Sequence, residues 1–125
     1  MMINQIYFKV SNKILSESEI DKEVSKHFAG RKKKGQFVEV EIVGEKTIKS
    51  LNLKFMKKNC PTDVLSFPLP NIPGEKSVGP SHIGTIVLCN DIIKLNAKKR
   101  GRTEREEFIF ILKHGLDHLL GIHHN

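Results

Sequence analysis

The chain has 125 residues, a formal net charge of +7, 38% hydrophobic and 28% charged residues. That length suits a single domain with one core, and no stretch approaches the ~18 apolar residues needed to cross a membrane. Aromatic residues make up only 6% and Trp is absent, which argues against an RNA module that stacks several bases. The Lys and Arg excess points instead to a polyanion held through its phosphates, whose neutralisation releases counterions. Cys60 and Cys89 form no C-x-x-C pair and fit a reducing compartment. Residues 1–10 lack the basic leader and unbroken apolar block of a secretory signal, so a cytoplasmic protein with no membrane partner is expected.

Ile6, Phe8 and Val10 alternate with Tyr7 and Lys9, predicting a first strand that ends at Ser11-Asn12. Ser16 with Glu19 three residues later forms a capping box, and Ile20, Val24 and Phe28 follow at helical spacing until Gly30 stops the run. A basic loop over 31–34 leads to a second strand over 37–43, with Val38, Val40 and Ile42 on one face and Glu39 and Glu41 on the other. Thr47 is positioned to cap a second helix with Ile48, Leu51 and Phe55 on its buried stripe, ending near Lys57-Lys58-Asn59. Val64, Leu65 and Phe67 make a short strand between prolines; Asp63 and Ser66 beside it either serve the function or, the favoured reading, hold the loop through backbone hydrogen bonds. An irregular loop over 69–82 precedes a β-branched apolar run over 83–89, read as a buried fourth strand. Asn90 then caps a helix over 91–99 with Ile92, Ile93 and Leu95 apolar, and Gly101 ends it. A last helix over 103–120 packs Phe108, Ile111, Leu112 and Leu119 inward. This order predicts an α+β domain.

The chemistry concentrates at the C-terminal end. His114 and His118 lie one turn apart on the last helix and share a face, with Cβ atoms about 5–6 Å apart. Gly121 can take the left-handed turn that swings His124 back toward them. Three neutral imidazoles leave one zinc position open, where a water can be acidified to a pKa of roughly 7. His123 is the alternative third ligand, and the same imidazoles accept Ni or another divalent metal. Asp117, about 100° off the ligand face, reads as solvent-side or as a support for a ligand. The spacing H-x-x-x-H-x-x-G-x-x-H is also that of metzincin proteases, but Gly115 stands where they carry the Glu base.

These terminal residues, together with the stretches L-N-L-K-F-M-K-K-N-C-P-T-D-V-L-S-F-P (51–68) and I-G-T-I-V-L-C (83–89), resemble the YbeY family of bacterial rRNA maturation factors, from about Gln36 onward. The resemblance implies a four-stranded mixed sheet packed with helices and one zinc ion on His114, His118 and His124. It further implies metal-dependent cleavage of single-stranded RNA in maturing the 3′ end of small-subunit rRNA and in ribosome quality control, with ribosomal particles and proteins as partners. Met56 stands where the family usually has Arg, Asn59 and Thr85 where Asp is common, and His123 where an acidic residue precedes the last ligand.

A zinc-dependent endoribonuclease is therefore the leading expectation, with either a water on the metal or the RNA's own 2′-OH as nucleophile. Arg31, Lys32, Lys33, Lys57, Lys58, Lys98, Lys99 and Arg100 are the candidate phosphate contacts. A metal-stabilised RNA- or ribosome-binding protein with little turnover is the alternative. A metallopeptidase ranks last, because it would need a base such as Glu107 from outside the motif.

Overall fold

The computed structural model describes residues 3–33, 35–69 and 81–122. Its elements are β1 (Gln5–Phe8), α1 (Glu17–Gly30), β2 (Gln36–Val43), α2 (Glu45–Met56), β3 (Val64–Pro68), β4 (Ser81–Cys89), α3 (Asn90–Arg100) and α4 (Glu104–Leu119). The strands form one sheet in the order β1-β2-β4-β3. β1, β2 and β4 run parallel, while β3 pairs antiparallel with β4 and is left as an edge. This is the α+β domain that the order of elements predicts, with the four-stranded mixed sheet that the family resemblance implies.

Period-two alternation divides the core. Val38, Val40, Ile42, Ile86 and Leu88 join Ile20, Val24 and Phe28 of α1 and Phe108, Ile111, Leu112 and Leu116 of α4 in one cluster. Leu65, Val87 and Cys89 look the other way, toward Ile48 and Leu51 of α2. β4 is thus apolar on both faces, which explains its unbroken hydrophobic run. Between Phe37↔His82 and Glu39↔Thr85 the register shifts, so β4 carries an extra residue around Gly84. A Cβ at Gly84 would stand 2.5 Å from the Phe67 carbonyl oxygen and 2.9 Å from Leu119 Cδ2. Only glycine lets β3, β4 and the end of α4 close up there. Opposite the bulge, the Val38 N–H donates to Asn4 Oδ1 at 3.0 Å.

Ser16 and Glu19 form the expected capping box on α1, and Thr103 with Glu106 forms a second on α4 that follows the same S/T-x-x-E rule. Several local expectations are corrected. β1 stops at Phe8, although the Lys9 N–H still reaches the Ile42 carbonyl at 2.8 Å. Gly30 is the last residue of α1 rather than its stop; the left-handed turn falls on Lys32 (φ 58°), with Lys32 and Lys33 N–H groups on the Ala29 and Phe28 carbonyls. α2 starts at Glu45 with Gly44 rather than Thr47 at its N-cap, and Phe55 is 52% exposed while Asn52 takes a buried position. Phe55 meets Phe67 edge-on at 5.2 Å between ring centroids, an aromatic contact that needs no burial. β4 begins at Ser81, inside the stretch expected to be loop. Asn90 opens α3 without capping it, because its Nδ2 donates to the Asn12 carbonyl at 2.7 Å. Ile93 is buried as expected, but Leu95 is 48% exposed and Ala97 is buried beside Ile93.

Candidate functional site

The C-terminal side of α4 lies over β3 because Gly115 allows it. A Cβ there would sit 3.2 Å from Ser66 Oγ, 3.3 Å from Val64 Cγ2 and 3.5 Å from Ile86 Cδ1. Ser66 in turn donates its hydroxyl to the Gly115 carbonyl at 3.3 Å. The position that carries Glu in zinc proteases therefore faces the sheet at van der Waals contact and has no room for a carboxylate arm. Glu107 does not replace it. Its side chain is fully buried, with Arg100 Nη1 donating to it at 2.8 Å and Arg102 Nη1 in an ion pair at 3.5 Å, about two turns down α4 from His114.

His114 and His118 are both exposed on α4 and line one cleft of about 330 Å³ with Asn52, Met56, Lys58, Thr62, Val64, Leu65 and Ser66. The cleft follows the open edge of β3, with α4 as one wall and the end of α2 as the other. Gly121 is left-handed (φ 76°), and its N–H and that of Ile122 return to the His118 and Asp117 carbonyls at 3.1 and 2.8 Å. This double bond pattern ends the helix as expected. His123 and His124 lie outside the described residues, and among the described residues no group of three His, Cys, Asp or Glu side chains is placed to hold a metal. Two solvent-facing imidazoles one turn apart nevertheless suit a borderline-soft divalent ion.

The opposite wall is fixed by Asn52. It is 4% exposed, its Nδ2 donates to the Cys60 carbonyl at 2.9 Å, and its own carbonyl accepts the Lys58 N–H at 3.3 Å. Lys57 takes the left-handed conformation (φ 60°), so the chain reverses at the end of α2 and brings Lys58 to the cleft. A buried Asn beside exposed neighbours is a signal that periodicity alone passes over. Met56, at the family's Arg position, lines this cleft as an uncharged side chain. Thr85 does not reach it: it lies on the other sheet face, around a hollow with Leu51, Phe55 and Phe67. Asn59 is exposed in the turn. Asp63 acts locally, its side chain accepting from Thr62 and Asn96 and its carbonyl from the Cys89 N–H.

Asp117 is 3% exposed rather than solvent-facing. Arg31 Nε and Nη2 donate to it at 3.1 and 2.8 Å, and His27 Nε2 lies 2.7 Å from its Oδ1. The sequence places these partners some ninety residues away, so only the packing of α1 on α4 unites them. Of the basic candidates, Arg31 and Arg100 are thus engaged with buried carboxylates, and Lys58 alone lines the cleft. Lys32 and Lys33 are exposed at the end of α1, Lys57 at the turn, and Lys98 and Lys99 in the last turn of α3.

A family model described as Endoribonuclease YbeY matches residues 4–125. A protein named Endoribonuclease YbeY from Sulfurovum sp. (strain NBC37-1) is 41% identical over 87 residues, 70% of this chain and 59% of that relative. Its namesake from Wigglesworthia glossinidia brevipalpis is 37% identical over 93 residues, 74% of this chain and again 59% of the relative. The matched stretch therefore spans less than two thirds of either relative's length. A solution structure from Thermotoga maritima superposes on 98% of this chain and 75% of its own, with a TM-score of 0.61 and 29% identity. With nearly its whole length matched by one family model and the same fold found at 29% identity, the chain belongs to the YbeY family.

Proposed function

We propose that the chain is a metal-dependent endoribonuclease specific for single-stranded RNA, acting in the cytoplasm on the 3′ end of small-subunit rRNA within ribosomal particles, where ribosomal proteins are its neighbours. The observation that carries the reading is the convergence of His114, His118 and Lys58 on one cleft along the β3 edge. His114 and His118, completed by His124, would hold one zinc or other divalent ion. Such an ion, when bound, supplies a Lewis acid and lowers the pKa of water near it.

The chain's own residues account for the rest. Lys58 places a cation across the cleft from the imidazoles, where it can bind a phosphate oxygen. Asn52 holds the turn bearing Lys58, so that cation is set by a buried hydrogen bond rather than by a free loop. Ser66 and Gly115 lock α4 onto β3 and fix the height of both histidines over the strand. With Met56 apolar, the cleft carries less positive charge than the family's usual Arg would give it. Open along the sheet edge, it suits a single strand better than a duplex.

The test uses RNA with a structured body and a single-stranded 3′ tail, incubated with wild type and His118→Ala at measured zinc content. Cutting in the tail by wild type and loss of cutting with loss of zinc in the variant are expected. A 2′,3′-cyclic phosphate end would assign the nucleophile to the RNA 2′-OH. RNA and zinc binding without any cutting would overturn the reading in favour of a binding protein.

A further inference from the structure

Between α1 and α4, on the other side of α4 from β3, lies a hollow of about 380 Å³ lined by Lys26, His27, Gly30, Arg31 and Lys113. A smaller one of about 340 Å³, lined by Phe110, Lys113, His114 and Asp117, adjoins it through Lys113 and adjoins the histidine cleft through His114. The three form a continuous track over α4. We propose that Lys26, Arg31 and Lys113 form a second phosphate subsite, taking the backbone of an RNA strand that leaves the cleft past His114. The proposal rests on the endoribonuclease reading and extends it to where the substrate runs.

Arg31 is the fixed cation of the set. Asp117 takes its Nε and Nη2, yet the side chain stays 40% exposed, so the guanidinium presents a preorganised edge to the hollow. Asp117 offsets that one charge, and both lysines are exposed and in no ion pair among the described residues. The mouth is open, since a Cβ at Gly30 would meet nothing within 4 Å. Crossing α4 spans ~10 Å, about three stacked nucleotides at ~3.4 Å each. Phosphates can therefore rest on both sides of the helix while the nucleotides between them pass His114.

Binding of an unstructured phosphorothioate RNA, several times longer than the track, is measured against salt for wild type, Lys26→Gln/Lys113→Gln and the control Lys46→Gln/Lys49→Gln on α2. Each lost phosphate contact on a single strand flattens the log–log slope by about 0.7. The subsite variant is expected to flatten it by roughly 0.7–1.4, and on cleavable RNA to raise KM while kcat holds. Slopes and KM equal to wild type would remove the subsite and leave the endoribonuclease reading standing, provided wild type binds and cuts. An equal effect of the α2 control would reduce the result to overall charge and overturn the subsite. A wild type that neither binds nor cuts RNA would overturn both.

Discussion

Asp117→Asn is the most informative single change, because it keeps the size of a buried side chain while removing its charge and turning one of its two acceptor oxygens into an N–H donor. Among the described residues, two contacts from Arg31 and one from His27 converge on that carboxylate. Hydrogen bonds to a charged group contribute about 1.5–3 kcal/mol and neutral ones about 0.5–1.5, so each contact loses ~1 kcal/mol. Arg31 regains hydration because it is 40% exposed, which brings the ~3 kcal/mol total down to about 2–2.5. Unfolding entropy for a chain of this length is about 0.26 kcal/mol per K, so Tm should fall by about 8–10 °C. Thermal melts followed by circular dichroism would measure it, with Arg105→Gln as the comparison. That variant loses only the solvent-facing pair with Glu19 and should lower Tm far less. The double variant Asp117→Asn/Arg31→Gln should lose less than the sum of its single changes. Equal losses for Asp117→Asn and Arg105→Gln, or strict additivity in the double variant, would refute the view that this buried carboxylate clamps α1 to α4.

Gly84→Ala should cost more than about 2 kcal/mol and weaken zinc binding, because backbone rather than a flexible side chain stands 2.5 Å from the new Cβ and the end of α4 must move; unchanged stability would contradict the packing described at the bulge. The Glu19 carboxyl is held at about 2, below its ordinary 4.5, chiefly by the Arg105 hydrogen bond and then by the Ser16 backbone N–H. Its folded pKa is lowered, so its contribution is full above about 4.5 and fades toward about 2. The Tm gap between wild type and Glu19→Gln should accordingly close over that window, and a gap independent of pH would contradict it. Met56→Arg adds a cation to an open, hydrated cleft where a phosphate is expected. At a separation of ~5 Å and near-water dielectric this is worth about 1 kcal/mol, so kcat/KM on RNA should rise about fivefold; a fall would show that the apolar side chain is needed there.

The sequence by itself determined the elements, their order along the chain and which face of β2 enters the core. Alternation in 37–43 sends Val38, Val40 and Ile42 to one face, and the S-x-x-E pattern at Ser16 starts α1, because both depend on neighbours two to four residues apart. Gly121 as the helix end and His114 with His118 on one face were legible for the same reason. Where several residues compete for one local role, the pattern misled. Gly30 yielded its turn to Lys32, and Asn90 bonded Asn12 instead of capping. Tertiary structure alone decided what stands around the histidines. Asn52, Met56 and Lys58 reach the cleft only because α2 and α4 flank the β3 edge, Thr85 is removed from it by falling on the opposite face of β4, and Asp117 is buried only because α1 delivers Arg31 and His27. Local sequence carries short-range spacing, whereas a buried charge or a shared cleft depends on which distant segments are pressed together.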